Sequence, residues 1–594
     1  MPKLSGRPHG RQRPKPRPAV KLAPEAEAIP EITPARPDLK FLIAASVTCA
    51  IALLIFFRDF VSSRFNLIAA DVGDGRLMIA ILEHWWAVAR HQAQFLSPNF
   101  FWPERGVLGY SDSLILFAAP YSIARYMGLD RYLAFELCLL AVQAIGFVSM
   151  VWLLHSFLRA SRTVALVGAL LFAMGNVYYR ALGSGHVQLM AVDFCPLIAA
   201  LACDSRRSHA PGRMTRCYCG AAACGMLLGL VLYTSFYIGW FTIVFSAVAA
   251  VVWAGGNMLH YGPAAAVSRW RWTAVKCWRA CAIGATAFGL VLVPFALTYI
   301  PALRNTGGRS FDENLMFMAA PIDTLDVGPR NLVWGHILEP IYTPIRSRTA
   351  EWERQVGWPP LILLLTGLTA IRALTGFGRT VSRSIPGRRP HFAAVMAISA
   401  ALLWLGSLNI RGHSFWLLMF RFVPGAAAIR VPERIASVLN LAVILIICTG
   451  LDELWRGKGR LRVAAFWCLA AFLVVEQLNL VDTHMIDRAA EREIFRKVRK
   501  PPLNCQAFFL AHSASETRLS FANQIDAMLV ARETGVPTLN GYSGWSPSGW
   551  DLASFDSAYL RHVREWAARH KVGRNLCGLD LRDGSWSEFR LAGQ

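Results

Sequence analysis

Apolar stretches long enough to cross a membrane recur along the chain, and they constrain its fold more than any other feature. A helix needs about 20 mostly apolar residues to span the roughly 30 Å hydrocarbon core of a bilayer. The 594 residues are 55% hydrophobic and 17% charged, so the chain is more apolar than a typical soluble domain. The sequence therefore predicts an α-helical polytopic membrane protein with about eleven transmembrane helices. The predicted spans are 41–57, 132–158, 163–178, 187–203, 218–236, 238–252, 280–300, 360–373, 392–408, 435–451 and 463–480.

The stretch 114–127 is also apolar, but it is short for a full crossing and contains Pro120 and Arg125. Arginines gather in the short loops between the predicted spans, for example at Arg206, Arg207 and Arg213. Such loops stay in the cytoplasm. They can all do so only if 114–127 does not cross, so we predict a juxtamembrane or re-entrant helix there. The N-terminus is then cytoplasmic and the C-terminus extracytoplasmic.

Charge and turn signals divide the chain into three parts. Residues 1–39 are basic and rich in Pro, which predicts a disordered cytoplasmic tail. Residues 40–480 form the predicted transmembrane domain, with extracytoplasmic loops 59–131, 301–359 and 409–434. Residues 481–594 mix turn signals such as Asn540-Gly541 with short apolar runs, which predicts a small extracytoplasmic α+β domain. Because the net charge of +23 resides mainly beside the spans, it indicates membrane topology and not nucleic-acid binding.

The cysteines give no zinc-site spacing, and most of the thirteen lie in or beside apolar runs. Only Cys505 and Cys577 lie in the polar C-terminal region. In an oxidising compartment the two could form one disulfide, and the sequence leaves this open.

The first extracytoplasmic loop carries the most suggestive acidic residues. Asp71 and Asp74 lie three residues apart, just before a predicted amphipathic helix. They could act as a general base with a polar partner, or ligate a divalent cation such as Mg²⁺ or Mn²⁺. The alternative for Asp74 is a helix N-cap.

Other polar residues gather on the same predicted face. The basic ones can neutralise a phosphate group, although contact with lipid headgroups would also explain them. Asp193 falls inside an apolar span, where a carboxylate is costly and suggests function. The candidates for donor phosphate binding are Arg180, His186, Arg430 and Arg434, and those for substrate binding are Glu83, His84, Tyr110, Asp112 and Asp193.

These motifs resemble the GT-C superfamily of integral membrane glycosyltransferases, and most of all its YfhO-like and uncharacterised bacterial multispanning members. The resemblance covers about residues 41–480. It rests on the first span followed by Asp71-Val-Gly-Asp-Gly75, on a juxtamembrane helix before the second crossing, and on Leu82-Glu-His84. Three later motifs add to it: Gly185-His-Val-Gln-Leu189 followed by Pro196, Tyr233-Thr-Ser-Phe-Tyr237, and Arg430-Val-Pro-Glu-Arg434.

The resemblance implies a transferase of the bacterial inner membrane that takes a sugar from a polyprenyl-phosphate donor. Asp71 would be the base, with Asp74 as its partner or as a metal ligand. An acceptor hydroxyl on an envelope glycan, lipid or protein would attack with inversion while Arg430 and Arg434 hold the departing phosphate. Because no decisive second acidic motif appears in 301–359, metal dependence stays open. A transporter or flippase of lipid-linked sugar and a non-catalytic envelope assembly protein remain the alternatives.

Overall fold

The computed structural model describes residues 38–210, 212–345, 353, 355–379, 388–572 and 575–589. Residues 1–37 of the predicted basic tail lie outside this set. Eight of the described helices are long and apolar enough to cross a membrane, which makes the chain a multi-pass membrane protein. They are Leu39–Phe56, Arg131–Phe157, Arg162–Gly183, Val187–Arg207, Met214–Thr234, Phe236–Tyr261, Pro263–Thr306 and Pro432–Trp455.

Each of the eleven predicted spans overlaps helical structure, although 163–178 crosses the break between the helices Arg162–Ala173 and Asn176–Gly183. Two of the remaining three are shorter apolar helices, Pro360–Thr375 and His391–Ser407. The third, Arg460–Gln477, has 18 residues but carries charges near both of its ends. The predicted fold class, a helical multi-spanning protein with a small α+β region at the C-terminus, is thus confirmed.

Two of the long helices start at an aspartate that caps them. The Asp130 side chain accepts hydrogen bonds from the backbone N–H groups of Tyr132 and Leu133 at 3.0 and 3.2 Å, and this caps Arg131–Trp152. Asp38 caps the first helix in the same way, through the N–H of Phe41 at 2.9 Å. Side-chain acceptors at these positions satisfy N–H groups that have no partner within the helix.

One helix is much longer than its predicted span of 280–300. Pro263–Thr306 has 44 residues, which corresponds to about 66 Å and exceeds the thickness of a bilayer. Its first part carries arginines and tryptophans that hydropathy does not recognise as a span, yet these residues are compatible with a helix. Pro263 at its first turn suits a helix start, because that position needs no N–H donor.

The stretch 114–127 forms the 12-residue helix Ile115–Tyr126. At about 18 Å it is too short to span a bilayer, as the sequence predicts. It packs against Arg131–Trp152 and against the amphipathic helix of the first loop, Asp74–Ala89. The remaining short helices are Arg58–Ser62, Val107–Tyr110, Phe311–Phe317, Pro321–Leu325, Gly335–Tyr342, Trp416–Phe422, Ala426–Ala428 and Pro432–Ile435.

The C-terminal region contains a three-stranded sheet and three helices. Strand β3 (Ala507–His512) runs parallel to β4 (Leu576–Asp580), and β4 pairs antiparallel with β5 (Ser585–Phe589). A parallel pair needs a crossover connection, which here contains the helices Ser520–Thr534 and Tyr559–Arg569. A disulfide joins Cys505 to Cys577. The third helix, Arg488–Arg496, precedes the sheet.

This region is docked on the first loop through backbone pairing and buried charges. Strand β1 (Leu67–Ile68) pairs antiparallel with β2 (Ile486–Asp487). Arg76 on the first-loop helix is fully buried and forms ion pairs with Asp526 and, at 2.8 Å, with Glu491. Arg518 contacts the same two carboxylates. The segment that carries Asp71 and Asp74 is therefore held against the C-terminal region.

Candidate active site

Asp71 and Asp74 lie at the start of the first-loop helix Asp74–Ala89. The Asp71 Oδ1 accepts a hydrogen bond from the Gly75 N–H at 2.8 Å. Asp71 therefore provides a cap for this helix, a role that the sequence suggested for Asp74. Asp74 is the first residue of the helix, and its side chain is 34% exposed. Its carboxylate points to groups from other parts of the chain.

The turn at Gly185 packs directly on this carboxylate pair. A Cβ atom at Gly185 would lie 2.2 Å from the Asp71 Oδ1 and 3.0 Å from the Asp74 Cβ, and the φ angle of +75° is itself unfavourable for other residues. Only glycine fits there. The turn brings the next residue, His186, to the two carboxylates.

His186 connects Asp74 to a buried ion pair. Its Nε2 lies 3.7 Å from the Asp74 Oδ2 and accepts a hydrogen bond from Nη2 of Arg434 at 2.8 Å. Because arginine only donates, this Nε2 carries no proton and the ring is neutral. Burial, together with the charge of Arg434, lowers the pKa of His186 to about 3. The contact between His186 and Asp74 is thus not an ion pair.

Arg434 is held by Glu353. The guanidinium donates two hydrogen bonds to the carboxylate, at 2.6 and 3.3 Å, and both residues are about 6% exposed. Although burial opposes ionisation, the charge of Arg434 holds the pKa of Glu353 at about 2. Paired in this way, Arg434 has little capacity left for a further anion.

Arg430 differs from Arg434 in its partners. Its backbone N–H donates to the Tyr237 hydroxyl at 2.8 Å, and its guanidinium lies over the Phe317 ring at 5.0 Å. It forms no ion pair with any described residue. Arg430 lies four positions before Arg434 on the same segment, and its charge favours the ionised form of Asp74.

The C-terminal region supplies one more group. The Tyr542 hydroxyl donates a hydrogen bond to the Asp74 Oδ1 at 2.9 Å. On the same loop, the Trp545 ring lies 3.9 Å from the Arg309 guanidinium, which pairs with Glu313 at 3.0 Å. The site is thus formed by the first loop, the turn at 185–186, the segment 430–434, Glu353 and the C-terminal loop.

Burial raises the pKa of both aspartates. For Asp71, the backbone N–H groups of Gly75 and Gly73 partly offset the effect. For Asp74, the hydrogen bond from Tyr542 and the charge of Arg434 offset it, whereas the negative charge of Asp71 adds to it. A carboxyl group with a raised pKa is a better proton acceptor in its ionised form than an exposed one.

Two predicted substrate-binding residues, Asp112 and Tyr110, contact groups other than the carboxylate pair. The Asp112 Oδ1 accepts from the Phe236 N–H at 2.9 Å and so caps the helix Phe236–Tyr261. Burial raises the Asp112 pKa to about 6. Tyr110 is buried beside the C-terminal loop, where a Cβ on Gly544 would lie 3.2 Å from its carbonyl oxygen.

The structure places the remaining predicted residues elsewhere. Glu83 faces the short helix Ile115–Tyr126, where it pairs with Arg125 at 2.8 Å. His84 is fully buried and contacts the Phe95 carbonyl through Nε2 at 3.1 Å, and burial lowers its pKa to about 4. Asp193 packs against Gly146 inside the helical bundle, and Arg180 lies beside Gly328. None of these four described residues forms a hydrogen bond or an ion pair with Asp71 or Asp74.

A divalent cation would find two carboxylates here, Asp71 and Asp74. Mg²⁺ is often held by one or two carboxylates, with water and substrate phosphate completing its shell. The residue types therefore fit such an ion, which would neutralise part of the negative charge of a phosphate. Within the described part of the chain, no group of three or more His, Cys, Asp and Glu residues could hold a metal. Metal dependence stays a prediction.

Two site residues are absent from the sequence-based set, Glu353 and Tyr542. Glu353 lies in the loop 301–359, but nothing in its neighbourhood indicates that it pairs with an arginine 81 positions later. Tyr542 belongs to the aromatic, Gly-rich run 538–545, which is typical of a tight turn as much as of a binding site. Only the docking of the C-terminal region reveals its role.

No protein-family model matches the sequence, and no curated protein sequence is similar to it. Several solved structures resemble the fold, and three of them, at 10% to 14% identity and with TM-scores below 0.5, show that the likeness is loose. Arabinofuranosyltransferase AftD from Mycobacteria has a TM-score of 0.47 and 14% identity, and the similarity covers 84% of this chain but only 32% of AftD. The Archaeoglobus fulgidus oligosaccharyltransferase AglB, in complex with an inhibitory peptide and a dolichol-phosphate, has a TM-score of 0.46 and 10% identity over 91% of this chain and 70% of AglB. ArnT from Cupriavidus metallidurans, bound to undecaprenyl phosphate, has a TM-score of 0.33 and 12% identity over 84% of both chains.

Proposed function

We propose that this protein is a membrane glycosyltransferase of the GT-C type, related to the YfhO-like group, that transfers a sugar from a polyprenyl-phosphate donor. One observation carries the proposal: a pair of aspartates lies beside a histidine and two arginines. Asp74 contacts His186, which contacts Arg434, and Arg430 acts electrostatically on Asp74. A carboxylate that accepts a proton and a guanidinium that binds phosphate are the two groups that such a transfer needs.

In the proposed reaction, Asp71 takes the proton of an acceptor hydroxyl. The hydroxyl oxygen attacks the anomeric carbon, and the bond from that carbon to the phosphate oxygen breaks. The bonding electrons leave with the polyprenyl phosphate. A single displacement of this kind inverts the anomeric configuration. The Gly75 N–H orients Asp71 by holding one of its carboxylate oxygens, and the other oxygen would receive the proton.

The two arginines take different parts in this proposal. Arg430, which forms no ion pair with a described residue, binds the donor phosphate and stabilises the charge that develops on it. Arg434 is occupied by Glu353 and acts by positioning the neutral ring of His186. In this respect the proposal departs from the sequence-based expectation, in which both arginines hold the phosphate.

The proposed location follows the positive-inside argument. The site residues lie on the predicted loops 59–131, 301–359 and 409–434, in the turn at 185–186 between two predicted spans, and in the C-terminal region. We place all of these on the extracytoplasmic face of a bacterial inner membrane. The acceptor is then an envelope glycan, lipid or protein. The Cys505–Cys577 disulfide is compatible with an oxidising compartment.

The test is transfer of radiolabelled sugar from polyprenyl-linked lipids to envelope acceptors by the purified protein. We expect Asp71→Asn to lower the rate about 10²- to 10⁴-fold, the range for loss of a general base. Asp482→Asn is the matched control, because it makes the same chemical change at an exposed carboxylate outside the site. The partner of Asp482 is Arg330, which is also exposed and lies 3.8 Å away. Equal rates in the wild type and Asp71→Asn would refute the role of Asp71.

The same preparation separates the transferase from the rival transporter. A transporter would move lipid-linked sugar across the bilayer of reconstituted vesicles without forming a new glycosidic bond. Movement across the bilayer with no product in the wild type would therefore replace the transferase proposal with the transporter.

A further inference from the structure

The loop that carries Tyr542 is fixed between two parts of the protein. On one side, the Gly541 N–H donates to the Gln524 Oε1 at 3.1 Å, and the Tyr542 N–H donates to the Met528 sulfur at 3.2 Å. Both acceptors belong to the helix Ser520–Thr534. The backbone of residue 542 therefore has a defined position within the C-terminal region.

On the other side, the loop is bonded to the first extracytoplasmic loop. The backbone N–H groups of Phe101 and Trp102 donate to the carbonyls of Asn540 and Thr538, each at 2.9 Å. Gly541 fits closely against Phe101, because a Cβ there would lie 2.4 Å from the ring. The loop thus cannot shift without breaking contacts on both sides.

The start of the first-loop helix is fixed to the same region. Arg76, two residues after Asp74, is buried among Asp526 and Glu491. A Cβ on Gly73 would lie 3.1 Å from the Phe521 ring, and that ring is 5.9 Å from the Tyr542 ring. Both partners of the bond between Tyr542 and Asp74 are thus held independently of the bond itself.

We infer that Tyr542 is a positioning residue of the site, and that its hydroxyl holds Asp74 in the orientation that turns Oδ2 to His186. The inference rests on the proposed function. Without the hydroxyl, Asp74 could rotate about its side-chain torsions, because the neutral His186 ring offers it no proton. The C-terminal region is thus a part of the reaction centre, and removing the Tyr542 hydroxyl lowers the rate of transfer.

The test variant is Tyr542→Phe, which removes one oxygen and keeps the ring. The control is Tyr126→Phe, the same chemical change at a side chain that is 85% exposed. In the transfer assay we expect kcat to fall about tenfold in Tyr542→Phe with an unchanged KM for the donor, as for loss of a hydrogen bond to a charged group. A fall caused only by poorer folding would lower the amount of active enzyme and leave the pH profile unchanged.

A second readout does not depend on transfer. Water-soluble carbodiimides react with protonated carboxyl groups, so a pH series followed by mass spectrometry reports the titration of Asp74. The groups around Asp74 are Asp71, His186, Tyr542, Arg430 and Arg434. Because the bond from Tyr542 favours the ionised form, we expect the labelling midpoint of Asp74 to rise in Tyr542→Phe and to stay unchanged in Tyr126→Phe.

The two readouts separate the two ideas. An unchanged midpoint in Tyr542→Phe would overturn the role of Tyr542, even if the wild type transfers sugar. A midpoint raised in Tyr542→Phe, together with a wild-type protein that transfers no sugar, would overturn the proposed function and leave the contact between Tyr542 and Asp74 in place.

Discussion

Arg76 is the buried link between the first-loop helix and the C-terminal region, and its loss has a calculable cost. The side chain is 0% exposed and pairs with Asp526 and Glu491. Breaking a buried ion pair by removing one partner costs about 3–5 kcal/mol. Arg518 contacts both carboxylates, at 2.5 and 3.1 Å, so Arg76→Met leaves them with one cationic partner, and methionine fills part of the space. We therefore expect a loss near the lower limit, about 3 kcal/mol.

A loss of about 3 kcal/mol corresponds to roughly a hundredfold change in the equilibrium between the docked and the opened state. Hydrogen exchange measures such local openings. The backbone amides of Asp74–Ala89 and Ser520–Thr534 should exchange about a hundredfold faster in Arg76→Met, while those of distant helices such as Met214–Thr234 keep their rates. Unfolding in denaturant measures the change in the global free energy of unfolding.

The matched control for this experiment is Arg582→Met. Arg582 also pairs with an aspartate, Asp580, but its side chain is 61% exposed. Exposed ion pairs contribute little, so this variant should resemble the wild type. Equal exchange rates in the two variants would refute the reasoning, because burial is the only reason to expect a large effect at Arg76.

Three further predictions follow from the site and the C-terminal sheet. In Arg430→Met, the KM for the donor should rise at least about tenfold, because a charge-assisted contact to phosphate is lost. The exposed Arg421→Met serves as control, and equal KM values would contradict the assignment. Transfer should decline as the pH falls through the raised pKa values of Asp71 and Asp74, because a base must be ionised to accept a proton. His186, with its pKa of about 3, should add no titration step near neutral pH. A step in the pH profile that disappears in His186→Gln would contradict the assignment to the aspartates. The double variant Cys505→Ser/Cys577→Ser should lose about 2–4 kcal/mol of stability, because a bridge across 72 positions no longer restricts the unfolded chain. The control is Cys468→Ser, which changes an exposed free thiol and should have the melting temperature of the wild type.

The sequence predicts the helical part of the fold well, because crossing a bilayer requires long apolar stretches. All eleven predicted spans overlap helices, and most of 114–127 forms the short helix Ile115–Tyr126. Where a helix continues beyond the apolar stretch, hydropathy fails. The segment 263–279 is helical although it contains Arg269, Arg271 and Arg279, because helix formation depends on backbone hydrogen bonds and not on apolarity.

The candidate site is predictable only in part. Asp71, Asp74, His186, Arg430 and Arg434 have residue types and positions that suggest chemistry, and the fold brings them together. Glu83 and His84 share the same helix, but Glu83 faces Arg125 on the short helix Ile115–Tyr126. Sequence spacing does not show this orientation, because it depends on which element packs on which side.

Contacts between distant segments explain the rest. Glu353 and Tyr542 reach the site only because their loops fold onto it, at Arg434 and Asp74. The same holds for the buried network at Arg76. No local pattern encodes an ion pair between residues 76 and 526, so the docking of the C-terminal region cannot be read from composition or periodicity.

In the proposed reaction, the carboxylate pair and Arg430 form one glycosyl-transfer centre. The most direct measurement follows a synthetic polyprenyl-phosphate sugar that carries one label in the sugar and another in the phosphate, in a single turnover with the purified protein and an envelope acceptor. We expect the sugar label to move to the acceptor with inverted configuration while the phosphate label stays on the lipid. In Asp71→Asn, we expect both labels to stay on the lipid. If both labels remain on the lipid in the wild type, the proposed glycosyl transfer is refuted.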